Sequence, residues 1–438
     1  MVKVLIAPMK HDCSHMEGQF PTEKDYDLLI EEDMDVYMPE VPGHPELTGS
    51  EEKIILKFRK NYFSKEQQDQ AYSGLREAAT ETQNRGKAAG PRAEKLGNRE
   101  WVTEYEYDII DYFLDAGANL YGDDPIEDIR TAHKGKVEKP STRNNVWGIQ
   151  AVRKDNFVFE DWVNATKVLP VPEMKKEAQR IEKKYICPTT YANGVFSGIA
   201  GWFDRYPRIP YGRATSYTSR EPEKFAMAFP FLQSLAKGFA SLLPQRYAAQ
   251  MEAANKIDKG FLVPETPFTT ITVNKTFRTA CHFDAGDLTS GLSNLLTLSN
   301  NGNYEGCYLV APEYRVAVNV RPGDLLLINN HEVMHGNTEI KLLDEVAERI
   351  SLVCYFREKM MELGTKEYED LRYEYVESRR LNKEHPEHKD RHLWNGVTPG
   401  MWDDQEWYDF LTNKGKQDLL DKYHPPKTTT VGALEEFF

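Results

Sequence analysis

Residues 321–340 read RPGDLLLINNHEVMHGNTEI, and the fold turns on whether the HEVMH at 331–335 lies on a helix. On a helix, His331 and His335 share one face four residues apart and Glu332 becomes a general base. The chain would then be a zinc metallopeptidase, with Glu358 as a distant third ligand. The flanking residues oppose this. Arg321-Pro322-Gly323-Asp324 is a turn signal, Leu325-Leu326-Leu327-Ile328 is the short apolar run of a buried strand, and Gly336-Asn337 stops the chain directly after His335. No capping residue and no helical apolar period lead into His331. Position 341, where the extended zincin pattern needs a third histidine, is Lys341. The stretch therefore reads as turn, strand and loop, which leaves His331 a structural role and takes the catalytic one from Glu332.

Working outward, residues 267–357 form a succession of short β-rich runs: PFTTITVN, RTACHFDA, LSNLLTLS, GCYLVAP, RVAVNV, DLLLIN and AERISLVCYF. Seven or eight short strands in about ninety residues describe a β-sandwich or jelly roll. Before it, helical spacing of apolar residues appears at 104–116, 172–185 and 221–256, the last interrupted by Pro230 and Pro244. Residues 20–60 are acidic, and MPEVPGHPELTGS within them reads as loop. After the β region, helical stretches are expected near 366–382 and 403–421. The fold class is thus α+β: a jelly-roll core at 267–357 within a domain spanning 61–357, buttressed by N-terminal helices. An extension over 1–60 packs on the core, and a charged, helical extension covers 358–438.

Composition sets the outer limits. With 438 residues, 40% apolar and 11% aromatic, the chain can bury a large core. No apolar run approaches the length that spans a bilayer, and the start has no signal-peptide core, so a soluble cytoplasmic protein is expected. That compartment would be the nucleus in a eukaryote, or the host cell interior if the chain is viral. The five cysteines (Cys13, Cys187, Cys281, Cys307 and Cys354) are odd in number and lack a CxxC pair, which argues against a disulfide framework or a structural zinc site. A net charge of −14 disfavours nonspecific nucleic-acid binding by the surface as a whole. Two basic clusters, Arg85 to Arg99 and Arg130 to Lys154, run against that trend.

The chemistry is carried by Cys281-His282-Phe283-Asp284. In a strand, residues i and i+2 project from one face, so His282 and Asp284 can reach a single metal ion. His335, near the seventh strand, completes a set of two imidazoles and one carboxylate. That is the facial triad of non-haem Fe(II) oxygenases, which leaves coordination positions open for a 2-oxo acid and then O2. A 2-oxoglutarate co-substrate needs a cation for its distal carboxylate. Arg349, fourteen residues after His335, offers a bidentate guanidinium, and Ser351 on the same strand face adds a hydroxyl. Asn294 is a further candidate for the co-substrate site.

These motifs make the chain recognisable. The stretch from FRTACHFDA to LLLINNHEVMHGNT (277–338) resembles the Fe(II)/2-oxoglutarate dioxygenase domain of the TET/J-binding-protein superfamily, particularly its thymine-hydroxylating branch, and the resemblance covers residues 267–357. The resemblance extends more weakly through NRGKAAG (84–90), SGIAGWFDRYPRIPYGRATSY (197–217) and LLPQRYAAQ (242–250). It implies a double-stranded β-helix core, the iron ligands His282, Asp284 and His335, and Arg349 for 2-oxoglutarate. It also implies hydroxylation of the 5-methyl group of thymine or 5-methylcytosine in DNA, with the base flipped into a pocket. Arg213 and Tyr217, within YGRATSY, are the candidate contacts to it. No separate DNA-binding module is evident.

Two other readings share parts of this site. A 2-oxoglutarate oxygenase of a free nucleotide, amino acid or peptide would keep every metal and co-substrate residue; a basic channel from either cluster to His282 would favour a polymer instead. A degenerate oxygenase fold used only for binding would not need an intact triad. At the end of the chain, Leu434, Phe437 and Phe438 either fold back onto the domain or form a docking peptide for a replication-clamp-type partner.

Overall fold

The computed structural model describes residues 2–82, 84–91, 93–94, 190–191, 194–205, 209–386, 396–398 and 400–425. The helices expected at 104–116 and 172–185, the cluster from Arg130 to Lys154, and Leu434, Phe437 and Phe438 lie outside these residues. The chain divides into two compact units, one formed by Met1–Pro91, Ala192–Tyr373 and Gly400–Phe438, the other by Arg92–Tyr191 and Glu374–Pro399.

The first unit opens with strands β1 (Lys3–Ile6), β2 (Leu28–Ile30), β3 (Met34–Tyr37) and β4 (Ile54–Arg59), then helix α1 (Lys65–Leu75) and β5 (Thr80–Thr82). In the second unit, β6 (Ala93–Glu94) pairs with β7 (Thr190–Tyr191). The first resumes with β8 (Val195–Phe203), β9 (Arg213–Ala214) and helices α2 (Ser216–Arg220), α3 (Pro222–Met227), α4 (Phe229–Leu242) and α5 (Pro244–Asn255). Nine strands follow: β10 (Thr270–Lys275), β11 (Ser293–Ser299), β12 (Tyr304–Gly306), β13 (Leu309–Ala311), β14 (Val316–Val318), β15 (Leu325–Ile328), β16 (Gly336–Asn337), β17 (Ile340–Leu342) and β18 (Arg349–Tyr355). Helices α6 (Lys366–Leu381), α7 (Gln405–Asn413) and α8 (Gln417–Tyr423) complete the described elements.

A ten-stranded sheet runs β1-β3-β4-β15-β11-β18-β10-β8-β5, with β9 on β8, and a four-stranded sheet runs β16-β13-β14-β2. Leu325-Leu326-Leu327-Ile328 shows why they stack. All four side chains are buried, yet they alternate: Leu325 and Leu327 enter the core beneath the helices, while Leu326 and Ile328 enter a core with residues of both sheets. A strand covered on both faces reads as a continuous apolar run, and the period of two still decides which core each residue joins. On the helical side, Phe231, Leu232, Leu235, Ala236 and Phe239 of α4 form one buried stripe at helical spacing. Pro230 and Pro244 interrupt the pattern as expected, because each sits in the first turn of its helix, where no intrahelical N–H bond is lost.

The N-terminal extension is built into the sheets. MPEVPGHPELTGS (38–50) carries no strand, as expected of a loop, while residues 3–59 around it supply four strands, three at one edge of the large sheet and β2 parallel to β14 in the small one. These strands are three to six residues long and are fixed by register with distant partners, such as Leu326 opposite Phe58, rather than by any local pattern.

Candidate metal centre and its cavity

His282 and His335 come from different segments and meet through their backbones. Each amide donates to the other's carbonyl at 3.0 Å, an isolated antiparallel bridge. The expectation of a regular strand at His282 is thereby corrected: the HxD segment makes this one bridge and lies outside the sheets. It is held on several sides. Cys281 exchanges bonds with Gly18 and Gln19 at 2.7 and 2.8 Å, Ala280 donates to the Ala88 carbonyl at 2.9 Å, and the Asp284 amide donates to the Asn330 carbonyl at 3.0 Å. Gly336 explains its place in the HGNT motif, since a Cβ there would lie 2.8 Å from the backbone nitrogen of Cys281.

The ligand atoms converge. One from each of His282, Asp284 and His335 lie within 4.8 Å of one another; Asp284 Oδ1 is 3.3 Å from His282 Nε2 and 4.0 Å from His335 Nε2. Both imidazoles are oriented from behind. Nδ1 of His282 lies 2.7 Å from the Ala280 carbonyl and Nδ1 of His335 lies 3.0 Å from the Val333 carbonyl. A carbonyl only accepts, so each Nδ1 carries the proton and each Nε2 presents a lone pair. Asn330 Nδ2 donates to Asp284 Oδ2 at 2.9 Å, leaving Oδ1 facing the histidines. Burial alone would raise the Asp284 carboxyl, but the hydrogen bond with His282, the charges of His335 and His282 and the bond from Asn330 bring it down to about 2. Burial lowers His335 to about 4, so it is a neutral ligand near neutral pH. Two imidazoles and an ionised carboxylate suit a divalent first-row metal such as Fe(II).

The peptidase geometry is absent. Residues 330–333 are turn and bend rather than helix, His331 and Glu332 are exposed, and Glu332 accepts from Asn329 Nδ2 at 2.9 Å. His331 is not part of the ligand group.

The triad opens into a cavity of about 670 Å³. Arg349, Ser351, Val353, Tyr355 and Arg357 all line it, every second residue along β18 and its continuation. From Arg349 to Tyr355 the strand spans roughly 20 Å at about 3.3 Å per residue, which separates two ends. At one end Arg349 is buried, with Nη2 donating to Thr297 Oγ1 at 3.2 Å and, among the described residues, Nε without a partner and no ion pair. A buried guanidinium edge with an open donor beside the Ser351 hydroxyl fits a carboxylate of 2-oxoglutarate. At the other end, Arg357 Nε binds Asp204 Oδ1 at 2.5 Å and its guanidinium lies 3.9 Å from the centroid of Phe203. There, burial and then the Asp284 charge raise Asp287 to about 7, and burial raises Tyr355 to about 12.

Asn294, Arg213 and Tyr217 do not line the cavity. Asn294 Nδ2 is turned to the carbonyls of Leu292 and Cys354 at 3.2 and 3.4 Å. Tyr217 is buried and its hydroxyl donates to the Gly74 carbonyl at 2.6 Å, which anchors α2 to α1. Arg213 donates to the Asp204 carbonyl at 3.1 Å with its guanidinium 5.4 Å from Phe203, behind the residues that face the cavity. Arg85, Asp287, Tyr355 and Arg357 occupy the cavity wall instead. For the last two the signal was in the sequence, since the period of two that groups Arg349 with Ser351 continues to 353, 355 and 357.

Residues 199–358 match the family model of the Tet_JBP oxygenase domain of the 2OGFeDO superfamily. This segment is similar to the Tet_JBP oxygenases. The bifunctional helicase and thymine dioxygenase JBP2 of Leishmania infantum is 35% identical over 215 residues, covering 49% of this chain and 18% of that protein. Thymine dioxygenase JBP1-B of Trypanosoma cruzi is 36% identical over 166 residues, 37% of this chain and 19% of that protein. The chain thus matches under a fifth of the length of either relative. A solved structure of NgTET1 in complex with 5mC DNA aligns over 85% of this chain and 90% of that one, at 12% identity and a TM-score of 0.39, too loose to carry an argument. Among the described residues no helix is long and apolar enough to cross a membrane.

Proposed function

We propose that this protein is an Fe(II)- and 2-oxoglutarate-dependent dioxygenase that hydroxylates the 5-methyl group of a pyrimidine base in DNA. The observation that carries the reading is the arrangement of one cavity: a His-Asp-His ligand set with a carboxylate-binding arginine to one side and an aromatic and polar chamber to the other. DNA as the polymer is supported by the relatives whose names give thymine dioxygenase activity.

When bound, iron and 2-oxoglutarate supply the oxidising power: one oxygen atom of O2 enters the methyl C–H bond, the other enters succinate, and CO2 leaves. The chain's own residues set the geometry. His282, Asp284 and His335 would hold the metal, with their orientation fixed by Ala280, Asn330 and Val333. Arg349 and Ser351 anchor the distal carboxylate of the co-substrate. Phe277, Leu295 and Leu309 form an apolar, buried lining that keeps bulk water from the reacting methyl group. At the far end, Tyr355 offers a ring face to a flipped base while Asp287 and Arg357 offer polar groups to its edge.

The test is nucleoside mass spectrometry. DNA incubated with the full chain, Fe(II), ascorbate and 2-oxoglutarate should gain 5-hydroxymethyluracil or 5-hydroxymethylcytosine with matching succinate. No change in either base, alongside oxidation of a free nucleotide or another small molecule, would transfer the assignment to a small-molecule hydroxylase. The basic channel that would favour a polymer is not supplied by the described part of the first cluster: Arg85 turns into the cavity and Lys87 pairs with Glu17 at 2.8 Å.

A further inference from the structure

Three arginines line the cavity, and they are held differently. Arg349 lies at the co-substrate end, and Arg357 is tied to Asp204 and stacked on Phe203. Arg85 has neither kind of support. Among the described residues its one hydrogen bond runs from Nη2 to the Gly198 carbonyl at 3.0 Å, and it makes no ion pair. That carbonyl is open because the pairing of β8 with β5 ends at Ser197. Gly198 itself allows the close packing, since a Cβ there would fall 1.8 Å from the Ala78 carbonyl oxygen. Two segments far apart in the chain, NRGKAAG and SGIAG, therefore meet to place one guanidinium.

The strand register locates Arg85. Gly198, which accepts its hydrogen bond, lies opposite Val273 and through it level with Leu352, midway along the β18 row that runs from Arg349 to Tyr355, and the charges nearest the guanidinium are those of Tyr355 and Asp284. The nearest carboxylate, Asp284, faces the two histidines and Asn330 and forms no ion pair with Arg85 among the described residues. A half-buried guanidinium with unused donors calls for a ligand that supplies acceptors.

We propose that Arg85 is a specificity-determining residue that donates to the O4 carbonyl oxygen of the bound base, so that the site takes thymine over 5-methylcytosine. This rests on the DNA reading above. Thymine carries O2 and O4 acceptors on either side of N3–H, whereas 5-methylcytosine places an amino donor where O4 would be. A guanidinium has no acceptor, so the amino group would meet N–H against N–H and both would stay unpaired.

The experiment compares two single-stranded oligonucleotides that differ only in thymine or 5-methylcytosine at one position, with the full chain loaded with Fe(II) and 2-oxoglutarate. The measured quantities are kcat/KM for each, the KM for 2-oxoglutarate, and Co(II) affinity. Wild type should favour thymine by about a hundredfold or more, as expected where a polar contact is matched or mismatched. Arg85→Gln, which adds an acceptor, should cut that ratio by at least about tenfold, and Arg85→Lys, which keeps a charged donor, should retain part of it. Co(II) affinity and the KM for 2-oxoglutarate should move by less than about threefold, since Arg85 is placed on neither ligand set. An unchanged thymine preference in an active Arg85→Gln variant overturns the proposal and leaves the DNA reading standing. A preference unchanged while the KM for 2-oxoglutarate rises would assign Arg85 to the co-substrate and overturn it equally. Wild type that oxidises neither oligonucleotide would remove the DNA reading, and this proposal with it.

Discussion

His282 and His335 are bridged through their backbones in both directions, amide to carbonyl, at 3.0 Å. The separation of the two imidazoles is therefore set by main-chain hydrogen bonds, with ring centroids 4.5 Å apart. Metal geometry here is a property of how two segments pair, and the pairing depends on what stands beside it.

Gly336 is the residue that permits this approach. In Gly336→Ala the new Cβ would press on the Cys281 nitrogen at 2.8 Å and the Ala280 carbonyl carbon at 3.0 Å, both backbone atoms that cannot swing aside. The substitution should cost about 1–3 kcal/mol of stability, as overpacking does. It should also weaken Co(II) or Fe(II) binding roughly 10- to 100-fold, the usual effect of disturbing a ligand's support. Calorimetric titration and thermal melting measure the two; full metal affinity would show that the bridge does not set the ligand spacing.

Asp284→Ala removes the carboxylate ligand and should abolish turnover and weaken metal binding while the fold remains, because Asp284 is a cavity residue outside both hydrophobic cores. His331→Ala, on an exposed turn, should change neither by more than about twofold. The pair separates the oxygenase site from a peptidase site, which would show the opposite order.

Arg349→Ala should raise the KM for 2-oxoglutarate by about 10- to 100-fold, consistent with losing a charge-assisted hydrogen bond of about 1.5–3 kcal/mol. Arg349→Lys should recover only part of this, since a lysine cannot present two parallel donors. Succinate release as a function of 2-oxoglutarate concentration reads the effect. Turnover that needs no 2-oxoglutarate would give Arg349 another task.

Glu369 is fully buried and is saturated by Arg205 and by the amides of Gly212 and Gly364 at 2.6 and 2.9 Å. Glu369→Ala would strand the Arg205 guanidinium and two amides, and should destabilise the protein by about 3–5 kcal/mol, as breaking a buried pair does. Denaturant unfolding followed by tryptophan fluorescence measures it. A loss below about 1 kcal/mol, the range of exposed pairs, would mean that water replaces the carboxylate.

What the sequence by itself determined was local in origin. The turn before Leu325, the all-apolar run of β15, the breaks in the helical pattern at Pro230 and Pro244 and the spacing of His282 and Asp284 are each written within a few residues, because turn chemistry and side-chain periodicity act at that range. The same period of two, followed from Arg349 through Ser351, reaches Tyr355 and Arg357, so half of the substrate end was present in the pattern as well. Only the tertiary structure decided the rest. The four strands within residues 3–59 form because partners up to 288 residues away complete their hydrogen bonds, as Asp27 and Arg315 also do with their side chains. Tyr217 and Asn294 spend their polar groups on neighbouring carbonyls, and Arg85 reaches the cavity because the Gly198 carbonyl lies at an edge where β5 has ended. A residue type states which bonds a side chain can make; which of them remain for a ligand depends on the groups that folding brings beside it.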